Sequence, residues 1–219
     1  MSLGEEWERH AATWIRFTPH DVFFEKYNWP AFRELLPPAG RSTLDLGCGE
    51  GRLGALLSDH RMTGADVAPT MVRRAAERGV YEQVVVSDAA SLPFADGAFD
   101  LVIAFMSFQD MDDPAAALRE AARVLEPGGV LAFAVVHPFN PGRERPYFDV
   151  ARLVDEFERG GVTMTFHQLH RPLESWLALL REAGLELEEL REPRAPDGVP
   201  ELAHVRDRPV FLHLRCRRP

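Results

Sequence analysis

The chain predicts a single α/β domain built on a mostly parallel sheet, and three observations carry that reading. Short apolar runs alternate with stretches of helical spacing between residues 42 and 136. Alternation of this kind builds parallel strands joined by right-handed crossovers. The runs are apolar almost throughout, as expected of parallel strands covered on both faces. The first run leads into a glycine-rich stretch, "LDLGCGEGRL" (44–53), and the next two end in acids. Open α/β sheets bind their ligands at those strand ends.

Taken in order, residues 1–39 are rich in aromatics (Trp7, Trp14, Phe17, Phe23, Phe24, Tyr27, Trp29) and read as an N-terminal helical cap. Strands are expected at "STLDLG" (42–47), "MTGADV" (62–67), "QVVVSD" (83–88), "FDLVIAF" (99–105) and "GVLAFAVV" (129–136). Helices are expected between them at 52–60, 69–79 and 113–129, two opening at or beside proline and two closing on glycine, which is ordinary helix punctuation. The stretch 138–170 breaks the rhythm and reads as an inserted, irregular lid over the substrate, since long structureless insertions in compact domains are usually functional lids or disordered loops. Residues 171–184 read as a further helix. Strands at "LELEEL" (185–190) and "PVFLHLRC" (209–216) have only a loop between them, so they pair antiparallel at one edge. The organisation is one domain: cap 1–39, ligand-binding core 40–137, lid 138–170, and C-terminal helix with edge strands 171–219.

Composition narrows the function classes. With 219 residues, 46% hydrophobic and 27% charged, the chain can bury one sizeable core. A formal net charge of −9 argues against a nucleic-acid footprint, which needs concentrated positive charge. The basic end "RCRRP" (215–219) reads as a solvated terminus. Cys48 and Cys216 are the two cysteines, so no disulfide framework is indicated and a reducing cytoplasm fits. No leader pattern opens the chain, and no apolar run nears the ~18 residues of a membrane span. The expectation is a cytoplasmic protein, monomer or homodimer, with no membrane partner and no metal.

The glycine loop specifies the ligand further. It runs from a strand into a helix, whose first N–H groups attract a carboxylate or phosphate. Asp66 ends the second strand, 19 residues beyond Gly47, where an acid can accept both hydroxyls of a ribose. Asp88 ends the third and can accept from an exocyclic adenine amine, the next N–H donating to the ring. Together the acids describe an adenosine site. A dinucleotide loop would need a small residue where Arg52 stands, and no G-K-[ST] of a triphosphate loop is present. A G-x-G-x-G loop making no room for pyrophosphate suits an amino acid attached to adenosine.

At this point "LDLGCGEGR" resembles the first motif of the class I S-adenosylmethionine-dependent methyltransferases, and "HRPLESWLALLREAGLELEELREP" (170–193) is similar to the C-terminal part of their small-molecule UbiE/Cyc-like members. "GADVAPTMVRRA", "SDAASLPFADGAFDLVIAFMSFQDMDD" and "LREAARVLEPGGVLAFAVVHP" resemble the motifs that follow, over about residues 40–137. The resemblance implies a Rossmann-like fold with a seven-stranded sheet, antiparallel last strand and helices on both faces. It implies an S-adenosylmethionine cofactor leaving as S-adenosylhomocysteine, with methyl transfer by direct displacement to a small, partly apolar metabolite. Carried over by position, Gly47, Cys48 and Gly49 line the methionine part and Asp45 lies near its amino group. Asp66 holds the ribose, Val67 lies against the adenine, Asp88 and Ala89 read its edge, and Phe105 sits beside the sulfonium. A catalytically silent cofactor-binding module on the same fold is the alternative.

The acceptor side is less legible. His137, ending the fifth strand, is the candidate base because imidazole titrates near neutrality; positioning substrate or capping the "HPF" turn is its other reading. Asp110, Asp112 and Asp113 read first as a turn and N-cap before Pro114. Trp14, Tyr27, Phe108 and Tyr147 are the candidate substrate-binding residues, since acceptor pockets are mainly apolar.

Overall fold

Nine strands and six α-helices are present among the residues that the computed structural model describes, 1–139 and 147–219. The strands are β1 (Thr43–Leu46), β2 (Met62–Asp66), β3 (Gln83–Val86), β4 (Phe99–Phe105), β5 (Leu125–Val136), β6 (Ala151–Arg159), β7 (Val162–His170), β8 (Glu186–Arg191) and β9 (Phe211–Arg217). The helices are α1 (Leu3–Phe17), α2 (Trp29–Arg33), α3 (Arg52–Leu56), α4 (Pro69–Arg78), α5 (Pro114–Val124) and α6 (Leu173–Glu182).

Seven strands form one sheet in the order β3-β2-β1-β4-β5-β9-β8. The pairs from β3 to β5 are parallel, and β9 runs antiparallel to both β5 and β8. The chain leaves β1 toward β2 and β3, then returns to β4 on the other side of β1. That reversal opens a crevice at the carboxyl ends of β1 and β4.

Alternate residues of each central strand face opposite sides, and both sides are apolar. Leu44, Leu46, Val102, Ala104, Leu131 and Phe133 pack with Ala117, Leu118 and Ala121 of α5 and Trp176 and Leu180 of α6. Leu101, Ile103, Val130 and Ala132 face the other way, against Trp29, Phe32, Leu53 and Leu57. This two-sided burial is why the strands read as continuous apolar runs. Each leucine, isoleucine, valine and phenylalanine among them contributes about 1.5–3 kcal/mol on leaving water.

The N-terminal cap is tied down by polar contacts as well as packing. Ser2 and Glu5 close a capping box at the start of α1, satisfying two of its orphan N–H groups. Glu8 accepts from the backbone and hydroxyl of Thr70 at 2.9 and 2.7 Å, so α1 caps α4. His213, fully buried in β9, bonds Asn28 Oδ1 at 2.7 Å. Burial pushes its pKa down to about 3, so it serves as a neutral imidazole.

Two helices, one strand and the lid depart from the sequence reading. The first crossover helix stops at Leu56 and α5 at Val124, with β5 starting four residues early at Leu125. The lid is not irregular where it is described: β6 and β7 pair antiparallel from Ala151↔His170 to Arg159↔Val162. Its segment 140–146 lies outside the described residues. Gly160 and Gly161 link the strands with φ of 56° and 74°, as a two-residue turn demands to match strand twist. Leu153 and Met164 are buried on the hairpin's inner face, while Val154 is exposed on the outer one.

The turn gives a graded prediction. An added Cβ at Gly161 meets no atom within 4 Å, so Gly161→Ala should lose only the left-handed backbone cost, about 1–2 kcal/mol. At Gly160 the same atom runs into the His20 ring, so Gly160→Ala should lose more. Urea unfolding midpoints check the order, and the reverse order would contradict the turn.

Candidate active site

A cavity of about 590 Å³ opens at the carboxyl ends of β1, β2 and β4. Its floor is the glycine loop and its roof is aromatic. Trp7 and Trp14 of α1, Phe23 and Phe24 of the cap, and Phe157 and Phe166 of the hairpin all line it.

The loop's shape follows from its glycines. Gly47, Gly49 and Gly51 have φ of 76°, 53° and 84°, a region that side chains disfavour. A Cβ at Gly47 would fall on the Ser107 side chain, whose hydroxyl donates to the Leu46 carbonyl at 2.7 Å. Gly47 therefore lets β1 and the end of β4 approach each other. At Gly49 nothing lies within 4 Å of the same position, so here the space is cavity. Gly51 is the left-handed residue just before α3.

Carboxylates surround this loop. The Asp66 oxygens accept from the N–H groups of Gly49 and Ala68, each at 2.9 Å. Asp45 is buried beneath the loop and accepts from the Tyr81 hydroxyl at 2.7 Å. Burial, reinforced by the charges of Asp66 and Glu50, raises the Asp45 carboxyl to about 7. Asp66 is raised by burial too, against the pull of its N–H donors. Burial and the same acids push the Cys48 thiol well up, so it stays protonated and serves as a wall. Glu50, also buried, accepts from the Trp14 indole at 3.3 Å and lies 3.6 Å from Arg78.

Arg52, the residue that spoils a dinucleotide loop, has a structural use. Its guanidinium donates to the Thr18 carbonyl at 2.7 Å and lies 3.6 Å from the Phe24 ring centroid. It thereby straps the cap across the glycine loop.

The remaining sequence-derived residues divide. Asp45, Gly47, Cys48, Gly49, Asp66 and Phe105 all line the cavity, as does Trp14. Phe105 meets Phe24, Trp29 and Phe32 edge to face. Val67, Asp88 and Ala89 do not line it. Val67 packs near Gly4 of α1, and Asp88 is exposed and caps its own turn through Ala90.

His137, Tyr27, Phe108 and Tyr147 lie away from the cavity lining. Both ring nitrogens of His137 are engaged: Nε2 with Glu192 at 2.9 Å, and Nδ1 accepting from the Phe139 N–H at 3.0 Å. It caps the "HPF" turn, and burial lowers its pKa. Tyr27 donates to the Pro193 carbonyl at 2.7 Å, inside a cluster with Phe211. Phe108 is core, edge-on to Phe133. Tyr147 accepts from the Leu173 N–H at 3.1 Å, capping α6.

Asp110 differs from the two aspartates that follow it. Asp113 is the N-cap of α5, accepting from Ala116, and Asp112 accepts from the Leu3 N–H. Asp110 instead lines the cavity, and burial pushes its carboxyl well up. Beside it, Gln109 Nε2 donates to the Met106 carbonyl at 2.7 Å, while its buried Oε1 has no partner among the described residues. An unpaired buried acceptor at a cavity wall marks a place for a ligand donor. Met106 itself has φ of 58°, a strained conformation of the kind found at functional sites. The hairpin adds Asp155, Arg159 and Gln168. Its sequence signal was the "GG" turn between two alternating runs.

Residues 44–133 match the family described as a methyltransferase domain. The chain is similar to 27-O-demethylrifamycin SV methyltransferase of Amycolatopsis mediterranei, 37% identical over 161 residues, 68% of this chain and 56% of that one. It is similar to demethylmenaquinone methyltransferase of Thermus thermophilus, 40% identical over 114 residues, 48% and 50% of the two chains. The chain thus spans about half the length of these curated relatives. Among solved structures it resembles an S-adenosylmethionine dependent methyltransferase from Mesorhizobium loti, with TM-score 0.68 and 28% identity over 87% of this chain and 97% of that one.

Asp45 makes the site sensitive to pH. An acid with its folded pKa raised leaves stability intact below its ordinary value, 3.8, and withdraws it as pH rises to about 7. At ~1.36 kcal/mol per unit that interval amounts to roughly 4 kcal/mol at most. Asp45→Asn should therefore be more stable than wild type at pH 8, with the gain shrinking toward pH 4. Urea unfolding at both pH values checks this; a gain that is equal at both, or larger at pH 4, would contradict it.

Proposed function

We propose, from the premise that the chain belongs to the methyltransferase-domain family over residues 44–133, that it is an S-adenosylmethionine-dependent methyltransferase acting on a small, partly apolar metabolite. The observation that carries this reading is the Asp66 carboxylate, clamped by Gly49 and Ala68 at the edge of a cavity floored by open glycine backbone. Each of its oxygens keeps a second lone pair, the acceptor set that a ribose diol needs.

In this reading Gly47, Cys48 and Gly49 flank the methionine part, and Asp45 and Glu50 favour its ammonium. Val67, Asp88 and Ala89 take the adenine at the open end, beyond the enclosed cavity. The cofactor, once bound, supplies an electrophilic methyl group on a sulfonium that needs no acid to leave. The protein's task is then alignment and exclusion of water. Phe105 and the surrounding acids suit a cation electrostatically. Phe24, Phe157 and Phe166 keep the acceptor side apolar, while Gln109 Oε1 and Asn28 offer it polar anchors. Asp110 is the group we assign to receive an acceptor's proton, since a buried carboxyl with its pKa raised is poised for transfer nearer neutrality. The proposal includes a small-molecule acceptor and a cytoplasmic setting, consistent with two free, buried cysteines.

Calorimetry with S-adenosylhomocysteine should give one-to-one binding that Asp66→Ala weakens at least about ten-fold, a loss of ~1.4 kcal/mol or more. No binding to the intact protein would reject the reading. With an acceptor found by screening methyl-labelled cofactor, Asp110→Asn should lower kcat about a hundred-fold and leave S-adenosylhomocysteine affinity nearly unchanged. His137→Ala should keep most of the turnover. The opposite pattern would return the role of base to His137.

A further inference from the structure

The N-terminal helix and the hairpin meet at three side chains that the proposed methyl transfer does not use. Glu6 and His10 stand four residues apart on α1, hence on one face of the helix, and His167 projects from β7. Glu6 Oε2 lies 3.7 Å from His10 Nε2 and 3.7 Å from His167 Nε2. Those separations are too long for hydrogen bonds. The imidazole rings lie 5.9 Å apart at an interplanar angle of 27°, and all three donor atoms fall within 4.8 Å of one another. Three Lewis bases thus converge without satisfying each other.

That spacing approaches the dimensions of a metal site. A tetrahedral ion about 2.0–2.1 Å from nitrogen and oxygen ligands holds them about 3.3–3.4 Å apart. Two edges need shorten by only a few tenths of an ångström, and the third is closed by side-chain rotation. Two imidazoles and one carboxylate, with a fourth position left for water, form a known zinc ligand set. The mixed nitrogen and oxygen donors favour zinc-like ions over magnesium or calcium. Glu6 is buried and both histidines are partly buried. The one cation on Glu6 Oε2 among the described arginines and lysines is Arg9, at 3.0 Å and half exposed. It can swing into solvent.

We propose that Glu6, His10 and His167 bind a zinc-class divalent ion that clasps α1 to the hairpin roofing the cavity. The same two elements already touch through Trp7, Trp14 and Phe166, which meet edge to face at 5.9–6.5 Å. A metal bond across that seam fixes the hairpin against α1. The site is independent of the methyl-transfer reading, because none of its ligands lines the cavity.

The test uses the full chain, free of any histidine tag and stripped with chelator, titrated with zinc chloride while calorimetry and the fluorescence of Trp7 and Trp14 are followed. The expected result is one-to-one binding with a micromolar or tighter Kd. Binding should weaken at least about ten-fold in His10→Ala and in His167→Ala, strengthen in Arg9→Gln, and be absent with magnesium chloride. Cobalt chloride should give the wild type the intense visible absorption of a four- or five-coordinate ion, a readout that survives if a variant misfolds. Absence of a one-to-one site, a weak six-coordinate cobalt spectrum, or unchanged affinity in both histidine variants would overturn the proposal.

Discussion

The organising constraint of this protein is a set of carboxylates buried around a glycine loop. Taking a carboxylate out of water costs several kcal/mol unless partners replace its hydration. Asp66 receives two backbone N–H groups and Asp45 a tyrosine hydroxyl. Glu50 receives an indole N–H and a distant arginine. These partners keep the acids in place without neutralising them, and burial with the charges of Asp66 and Glu50 still raises the Asp45 carboxyl to about 7. A site so prepared gains most from a ligand bearing positive charge. The left-handed glycines follow from the same need, because only bare backbone brings Gly49 within reach of Asp66 while leaving the space above it open.

The fold divides its labour around that loop. The parallel sheet, apolar on both faces, supplies rigid strand ends whose loops carry Asp45, Asp66 and Phe105. The cap and the hairpin supply the roof of the cavity. Arg52 and Glu8 fasten the cap across the loop and onto α4, while Asp21 pairs with Arg159 of the hairpin. The guanidinium of Arg159 also lies over Phe17 and Phe23, at 4.8 and 5.3 Å. Both halves of the roof are thus held by contacts between segments far apart in sequence.

This division explains what was legible in the sequence. The seven sheet strands and the glycine loop carry local signals: continuous apolar runs, punctuating glycine and proline, and acids at fixed spacing. The roof carries few, because a histidine or aromatic residue does not announce which way it points. His137 and Tyr147 cap a turn and a helix, and Phe108 packs edge-on against Phe133 in the core. Asp110 looked like a third turn-forming aspartate beside Asp112 and Asp113, and only the three-dimensional path of the chain separates it from them. The hairpin was written in "ERGGVT", whose paired glycines are a turn signal obscured by the irregular stretch before it. Arg52 was visible as a departure from one motif, but its service to the cap depends on Thr18 and Phe24, which no spacing links to it.

The proposed methyl transfer depends on the acid-ringed glycine loop serving as an adenosyl amino-acid site. A crystal structure of the protein with S-adenosylhomocysteine tests it most directly. The expected result is the ribose hydroxyls on Asp66, the amino group toward Asp45, and the sulfur facing Phe105 and the Asp110 side of the cavity. Density for the ligand elsewhere on the molecule, or a ribose turned away from Asp66, would contradict it.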